Sequence, residues 1–147
     1  MKDVHIAVGV AAIAFNGVAA VFGAWCWWRY LTTAWFWRLV RAGQAVVVLQ
    51  AALGGVLVLT GHKPKGLHVL YGVLPLLVAV IAEQLRIASA QMVLDAGGYE
   101  SAQAVGKLAP EEQQQVVESI LRREMGVMVL AAAVVVVLLS RAAATAG

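Results

Sequence analysis

Four runs of apolar sequence, each near the length that crosses a bilayer, govern what this chain can fold into. They cover about residues 4–28, 40–60, 67–86 and 122–140, and a helix needs roughly 20 apolar residues to span the hydrocarbon core. A soluble core of this size cannot absorb four such runs. Of the 147 residues 62% are hydrophobic and only 13% charged, against about a quarter charged in soluble domains. The pattern predicts an all-α polytopic membrane protein, a single antiparallel up-down bundle of four transmembrane helices. Phe22-Gly23-Ala24 resembles a signal-peptidase site. The first run is nevertheless longer than a secretory core, and more positive charge follows than precedes it, so it reads as a retained helix.

Orientation follows from lysine and arginine near the spans. Arg29, Arg38 and Arg41 in the first connection, with Arg86, Lys107, Arg122 and Arg123 in the third, make seven on one side. Lys2, Lys63, Lys65 and Arg141 make four on the other. Both termini are therefore expected outside and the third connection in the cytoplasm of a bacterial inner membrane. The net charge of +3 is spent on topology, and no basic patch for nucleic acid is visible. Cys26, the single cysteine, excludes an internal disulfide and any thiol-pair metal motif.

All five tryptophans (Trp25, Trp27, Trp28, Trp35, Trp37), with Tyr30 and Phe36, surround the first connection. Aromatic rings beside arginines read as an interfacial belt. The second connection, Gly61-His62-Lys63-Pro64-Lys65-Gly66, is a tight turn, so helices 1 and 2, then 2 and 3, are expected side by side. Residues 87–121 read as a helical hairpin prolonging helices 3 and 4 into the cytoplasm. Gly97-Gly98 stops its first arm, and Pro110 with Glu111 and Glu112 starts its second. Glu118 and Arg122 stand at a supporting i,i+4 spacing.

Two amides, Asn16 and Gln50, fall near the bilayer midplane and are expected to bond to each other across helices 1 and 2. Asn16 lies on a small-residue ridge of Ala12, Ala20 and Ala24, and Gln50 above Gly54. On the third run His68, Gly72, Pro75, Ala79 and Glu83 share an inward face, with Tyr71 one residue off it. Glu83 is expected to pair with Arg86 or Arg122.

The sharpest functional signal is a repeated His-x-x-x-Gly-Val segment: His5 to Val10 and His68 to Val73. Residues four apart share a helix face, so each histidine stands one turn from a glycine that leaves room beside it. Two imidazoles on facing helices, with Gly9 and Gly72 as a slot and Lys2, Lys63 and Lys65 for propionates, would suit a b-type haem. His5, His62 and His68 together, with Asp3 nearby, would suit a zinc or copper ion or a pH sensor. Interfacial histidines that bind only water and headgroups need no cofactor at all.

At Leu67-His68-Val69-Leu70-Tyr71-Gly72, after the Gly61-x-x-Pro64 turn, the chain resembles small four-helix membrane proteins of GC-rich bacteria with a Leu-His-Tyr-Leu-Tyr-Gly segment. Those also carry an early histidine, matched by His5, and a glutamine in the second helix, matched by Gln50. Val69 stands where an aromatic is usual, and the long hairpin is a further departure. The resemblance implies that the histidines form a set and implies no activity. Three functions are thus expected in order: a haem- or metal-binding protein serving electron transfer, a non-catalytic accessory or assembly subunit of a larger membrane complex, and a small transporter acting as a homo-oligomer. No catalytic constellation marks the chain as an enzyme on its own.

Overall fold

A computed structural model describes residues 1–64 and 66–146, and every regular element among them is helical. Four long helices, α1 (Lys2–Trp28), α2 (Ala34–Leu59), α3 (Gly66–Ala96) and α5 (Pro110–Ala144), are joined by connections of which the longest holds a single-turn α4 (Ala102–Val105). All four are long and apolar enough to cross a membrane. Their outward faces carry large apolar side chains, Val21 at 74%, Leu130 at 67% and Val137 at 61% exposure. A contiguous surface of this kind is suited to lipid rather than water, as in a multi-pass membrane protein.

Helix ends follow local chemistry. α1, α2 and α3 all finish in the same way. The residue after the cap turns to positive φ (Tyr30 at 57°, Gly61 at 94°, Gly98 at 70°), and the next amide returns to a carbonyl in the last turn. These closing bonds are Leu31 to Cys26 at 2.9 Å, His62 to Leu57 at 3.0 Å and Tyr99 to Leu94 at 2.9 Å. That is the Schellman closure, which normally demands glycine; Tyr30 adopts it against the steric preference of a side-chain-bearing residue. Thr33 caps α2 through its hydroxyl. α5 opens on Pro110 with Glu111 and Glu112 in its first turn and no side-chain cap from Ala109. Between the hairpin arms, the connection after Gly98 contains α4, started by the Ser101 hydroxyl on the Ala104 amide and tucked in through Val105, which is buried.

A single spacing runs through the interior. His5, Gly9, Ala12, Asn16, Ala19, Gly23 and Cys26 step along α1 by alternating fours and threes, and the last five are buried. Phe36, Val40, Gly43, Val47, Gln50, Gly54 and Leu57 repeat that step on α2, as do Met125, Met128, Ala132, Val135, Leu139 and Ala142 on α5. A 3.5-residue repeat keeps one seam facing its partner, as in left-handed coiled coils. The expected ridge at Ala20 and Ala24 drifts off this seam, because strict steps of four rotate around a 3.6-residue helix, and Ala19 and Gly23 replace them.

α1 packs extensively on both α2 and α5, and α3 on α5, whereas the α2–α3 contact is thin. Consecutive helices 2 and 3 are therefore not the close neighbours that chain order suggested. α2 meets α3 through long polar side chains, Arg41 and Gln44 reaching Glu83, which bridge a gap that small residues close elsewhere.

The tightest approach is at Gly23, where an added Cβ would lie 2.3 Å from Phe36 Cε2 and 2.6 Å from Val129 Cγ2. Gly23→Ala is expected to destabilise the detergent-solubilised protein by about 1–3 kcal/mol through overpacking. Gly55→Ala, with nothing within 4 Å, should leave the midpoint of unfolding unchanged. Thermal or denaturant unfolding of the two variants checks this.

Candidate functional site

The first turns of α1 and α3, the last turn of α5 and Gln50, nine residues before the end of α2, supply one polar cluster. His5 and His68 stand edge to face, with ring centroids 6.1 Å apart and planes at 66°. The repeated motif on α1 and α3 thus does bring its two histidines together. His68 Nδ1 lies 2.8 Å from the Ala142 carbonyl oxygen, one of the end carbonyls for which α5 has no further turn of helix. A carbonyl only accepts, so Nδ1 of His68 carries a proton, and in the neutral imidazole Nε2 then keeps its lone pair. This is the arrangement by which a backbone carbonyl orients an imidazole for a metal.

The third member is Gln50. Its Nε2 is 3.2 Å from His5 Nε2, while Gln50 Oε1 and His5 Nδ1 are both buried without a hydrogen-bond partner among the described residues. Buried polar atoms are rarely left unpaired, and here two stand in one cluster. The fit around them is reciprocal. A Cβ on Gly9 would lie 2.9 Å from Gln50 Nε2, and one on Gly54 would lie 3.2 Å from His5 Cε1. Each helix therefore places its polar side chain over the glycine of the other. Gly9 does not open a slot beside His5, as expected, but receives Gln50, and the glycine that receives His5 is Gly54. Gly72, by contrast, has nothing within 4 Å of an added Cβ, so space remains open on the α3 side.

The expected Asn16–Gln50 bond is absent. Asn16 Nδ2 donates to Ala12 O of its own helix at 2.8 Å, and its amide packs on Gly43 at 3.0 Å from a Cβ there. Depth counted from helix ends misled, because α2 begins at Ala34 and not near Val40, so its middle faces Asn16 with Gly43 while Gln50 lies level with Gly9 and reaches His5 one turn away. A signal was present in the sequence: Gln50-x-x-x-Gly54 has the spacing of His5-x-x-x-Gly9. His62 sits exposed in the turn after α2, and among the described residues no three of His, Cys, Asp and Glu gather as a metal group. The three-histidine site is thereby corrected to a two-histidine, one-amide cluster. Tyr71 is half-buried, and the ring nitrogen it was placed to reach bonds Ala142 instead. Lys2 and Lys63 are exposed, and Lys65 lies outside the described residues.

A second polar network joins α2, α3 and α5. Glu83 accepts from Arg41, from Gln44 at 3.0 Å and from Arg86 at 3.1 Å, and Arg86 also reaches Glu124 at 3.2 Å. Two arginines and two glutamates cancel, and every partner is used. Of the expected partners for Glu83, Arg86 is present and Arg122 is not. Arg122 instead lies over Tyr30, 3.5 Å from the ring centroid, and Glu118, its expected i,i+4 partner, takes Gln114.

Chemically, the histidine cluster holds two imidazoles and an amide oxygen, with no thiolate or carboxylate; the Gln50 amide donates to His5 Nε2, so His5 offers that nitrogen to a metal only where this bond is given up. That donor set suits borderline transition metals such as zinc, copper, iron and nickel rather than calcium or magnesium. No protein-family model, curated protein or solved structure matches the chain.

If Gln50 bonds His5 and not Asn16, a double-mutant cycle separates the two. His5→Ala with Gln50→Leu should show a coupling of about 0.6–1.7 kcal/mol. Asn16→Leu with Gln50→Leu should be additive. Unfolding of the single and double variants in one detergent is the measurement.

Proposed function

We propose that this chain is a multi-pass protein of the bacterial cytoplasmic membrane that holds one transition-metal centre between His5 and His68, with electron transfer as its use. The observation that carries the reading is the histidine pair. Their ring centroids lie 6.1 Å apart with the planes at 66°, near enough for one ion to be shared once the rings turn their nitrogens toward it. The proton held on His68 Nδ1 by Ala142 leaves Nε2 as the ligand atom. Gln50 Oε1, buried and unpaired, is the third donor. A bare ion suits the site better than a large planar group, since Gln50 already fills the face of Gly9. Haem b is the second reading, favoured by the open space beside Gly72.

The supporting architecture is an antiparallel up-down bundle with both termini outside. Contacts of His5 with Gly54, Asn16 with Gly43 and Gly23 with Phe36 support opposed α1 and α2, and the seven-to-four excess of Lys and Arg supports the orientation. A periplasm-active reporter fused after Gly147 should be active and one fused at Gly98 inactive. The opposite pattern would move the histidines to the cytoplasmic face.

Metal analysis and absorption spectroscopy of protein purified from its native membrane test the centre, followed by reconstitution with copper, zinc or haemin. His5→Ala and His68→Ala should each abolish stoichiometric binding, and Gln50→Leu should weaken it by about 10–100-fold. His62→Ala should have no effect. Gly72→Leu should block haem while sparing a bare ion. Wild-type protein that takes up neither metal nor haem would overturn the proposal. Co-purification with a larger complex would then point to the accessory role.

A further inference from the structure

At the end of α1 remote from the histidines, two surface hollows share one wall. The first, roughly 530 Å³, is lined by Gly17, Val18, Val21, Phe22 and Trp25. The second, about 450 Å³, is lined by Trp25, Trp28, Arg29 and Tyr30. Trp25 belongs to both, so an apolar groove and a cleft that holds a cation adjoin at this side chain. Gly17 to Trp25 is eight residues, about 12 Å along a helix, which matches part of an acyl chain lying parallel to α1.

The head of this hollow is positively charged without compensation. Among the described residues neither Arg29 nor Arg122 is in an ion pair; the ion-paired arginines are Arg41 and Arg86. Arg122 has a carboxylate available one helical turn away at Glu118 and does not use it, since Glu118 bonds Gln114. Its guanidinium lies over Tyr30 and 5.1 Å from the Trp27 ring centroid. Tyr30 itself is held at the left-handed φ of 57° that puts it in the wall of the cleft. The remaining carboxylates of this end, Glu83 and Glu124, are engaged by Arg41 and Arg86.

We infer that this amphipathic hollow is a binding site for one anionic phospholipid, its phosphate at Arg29 beside the Tyr30–Arg122 stack and an acyl chain along Gly17, Val18, Val21 and Phe22. The charge selects an anionic headgroup, because a basic residue near an anionic surface contributes about 1 kcal/mol. The groove selects a lipid over a soluble phosphate, because only a lipid covers the apolar wall. This site is independent of the histidine cluster and stands whether or not a metal is bound there.

The test uses the intact protein in vesicles of phosphatidylcholine doped with brominated phosphatidylglycerol or brominated phosphatidylcholine, read by quenching of tryptophan fluorescence. Brominated phosphatidylglycerol should quench at several-fold lower mole fraction than brominated phosphatidylcholine. Arg29→Gln should reduce that preference by about fivefold, the equivalent of about 1 kcal/mol. Arg29→Lys should keep most of it, and Lys107→Gln, far along the chain from the hollow, should keep all of it. Gly17→Leu, which fills the groove, should reduce quenching by both lipids. Free glycerol phosphate should not compete at millimolar concentration. Equal quenching by the two lipids, an Arg29→Gln protein with wild-type preference, or a loss produced equally by Lys107→Gln would overturn the assignment.

Discussion

The whole bundle depends on backbones coming close along a 3.5-residue seam. Lipid chains are as apolar as leucine, so helices in a membrane gain nothing from hiding apolar surface from one another, and association rests on close packing and interhelical hydrogen bonds. α1 meets this requirement with Gly9, Ala12, Ala19 and Gly23, and α2 answers with Gly43 and Gly54. Phe36, fully buried, fits against Gly23, and Asn16 against Gly43. The same seam, continued to the end of the helices, places His5 on Gly54 and Gln50 on Gly9. The candidate site is therefore not an addition to the bundle. It is the last layer of the packing, with polar side chains in place of apolar ones.

Two polar layers flank the apolar interior, and their difference identifies which one has capacity for a ligand. Around Glu83 every charge has an opposite, and among the described residues no buried polar atom there lacks a partner. Such a network fixes the register of α2, α3 and α5, and opening it to a ligand would break bonds already made. Around His5 two buried atoms lack partners, and the two imidazoles face each other without a bond between them. An amide and two imidazoles carry no formal charge when neutral, so this layer sits in an apolar setting without the desolvation cost of buried ions. It is the layer in which a ligand would complete bonds.

Much of this was legible in residue order alone. The number of long apolar helices followed from run length, the α5 start from Pro110-Glu111-Glu112, the α3 stop from Gly97-Gly98, and the meeting of His5 with His68 from their shared spacing. What failed has specific causes. Depth counted from helix ends depends on where the ends are, and α2 starts about a turn and a half before the apolar run does, at Ala34, which moved Gln50 from Asn16 to His5. Chain order assumed that α2 and α3 would pack closely, but their facing side chains are long and polar. Arg122 was assigned to its i,i+4 glutamate, a contact worth only a few tenths of a kcal/mol in an isolated helix, and aromatic faces from the α1 terminus took it instead. α4 was too short to carry a periodic signal.

On the proposed transmembrane reading, the geometry of α1 separates the two candidate sites across the bilayer. From His5 to Arg29 is 24 residues, about 36 Å at 1.5 Å each, which exceeds a hydrocarbon core of about 30 Å. With α1 upright or tilted by the usual 20° or so, Arg29 and its aromatic neighbours reach headgroups on one side while His5 lies close to the opposite interface. An ion can thus approach the histidine cluster from water without crossing lipid, and Gly72 borders open space on that side. The apolar layers of Ala12, Val47, Val135 and Leu139, then of Ala19, Phe36, Met125 and Met128, fill the bundle between the two ends. Among the described residues the one polar side chain buried between these layers is Asn16, which bonds its own helix at Ala12. On the proposed reading, the bundle therefore holds its metal at one surface instead of conducting it, and a redox partner would have to meet it on the histidine side.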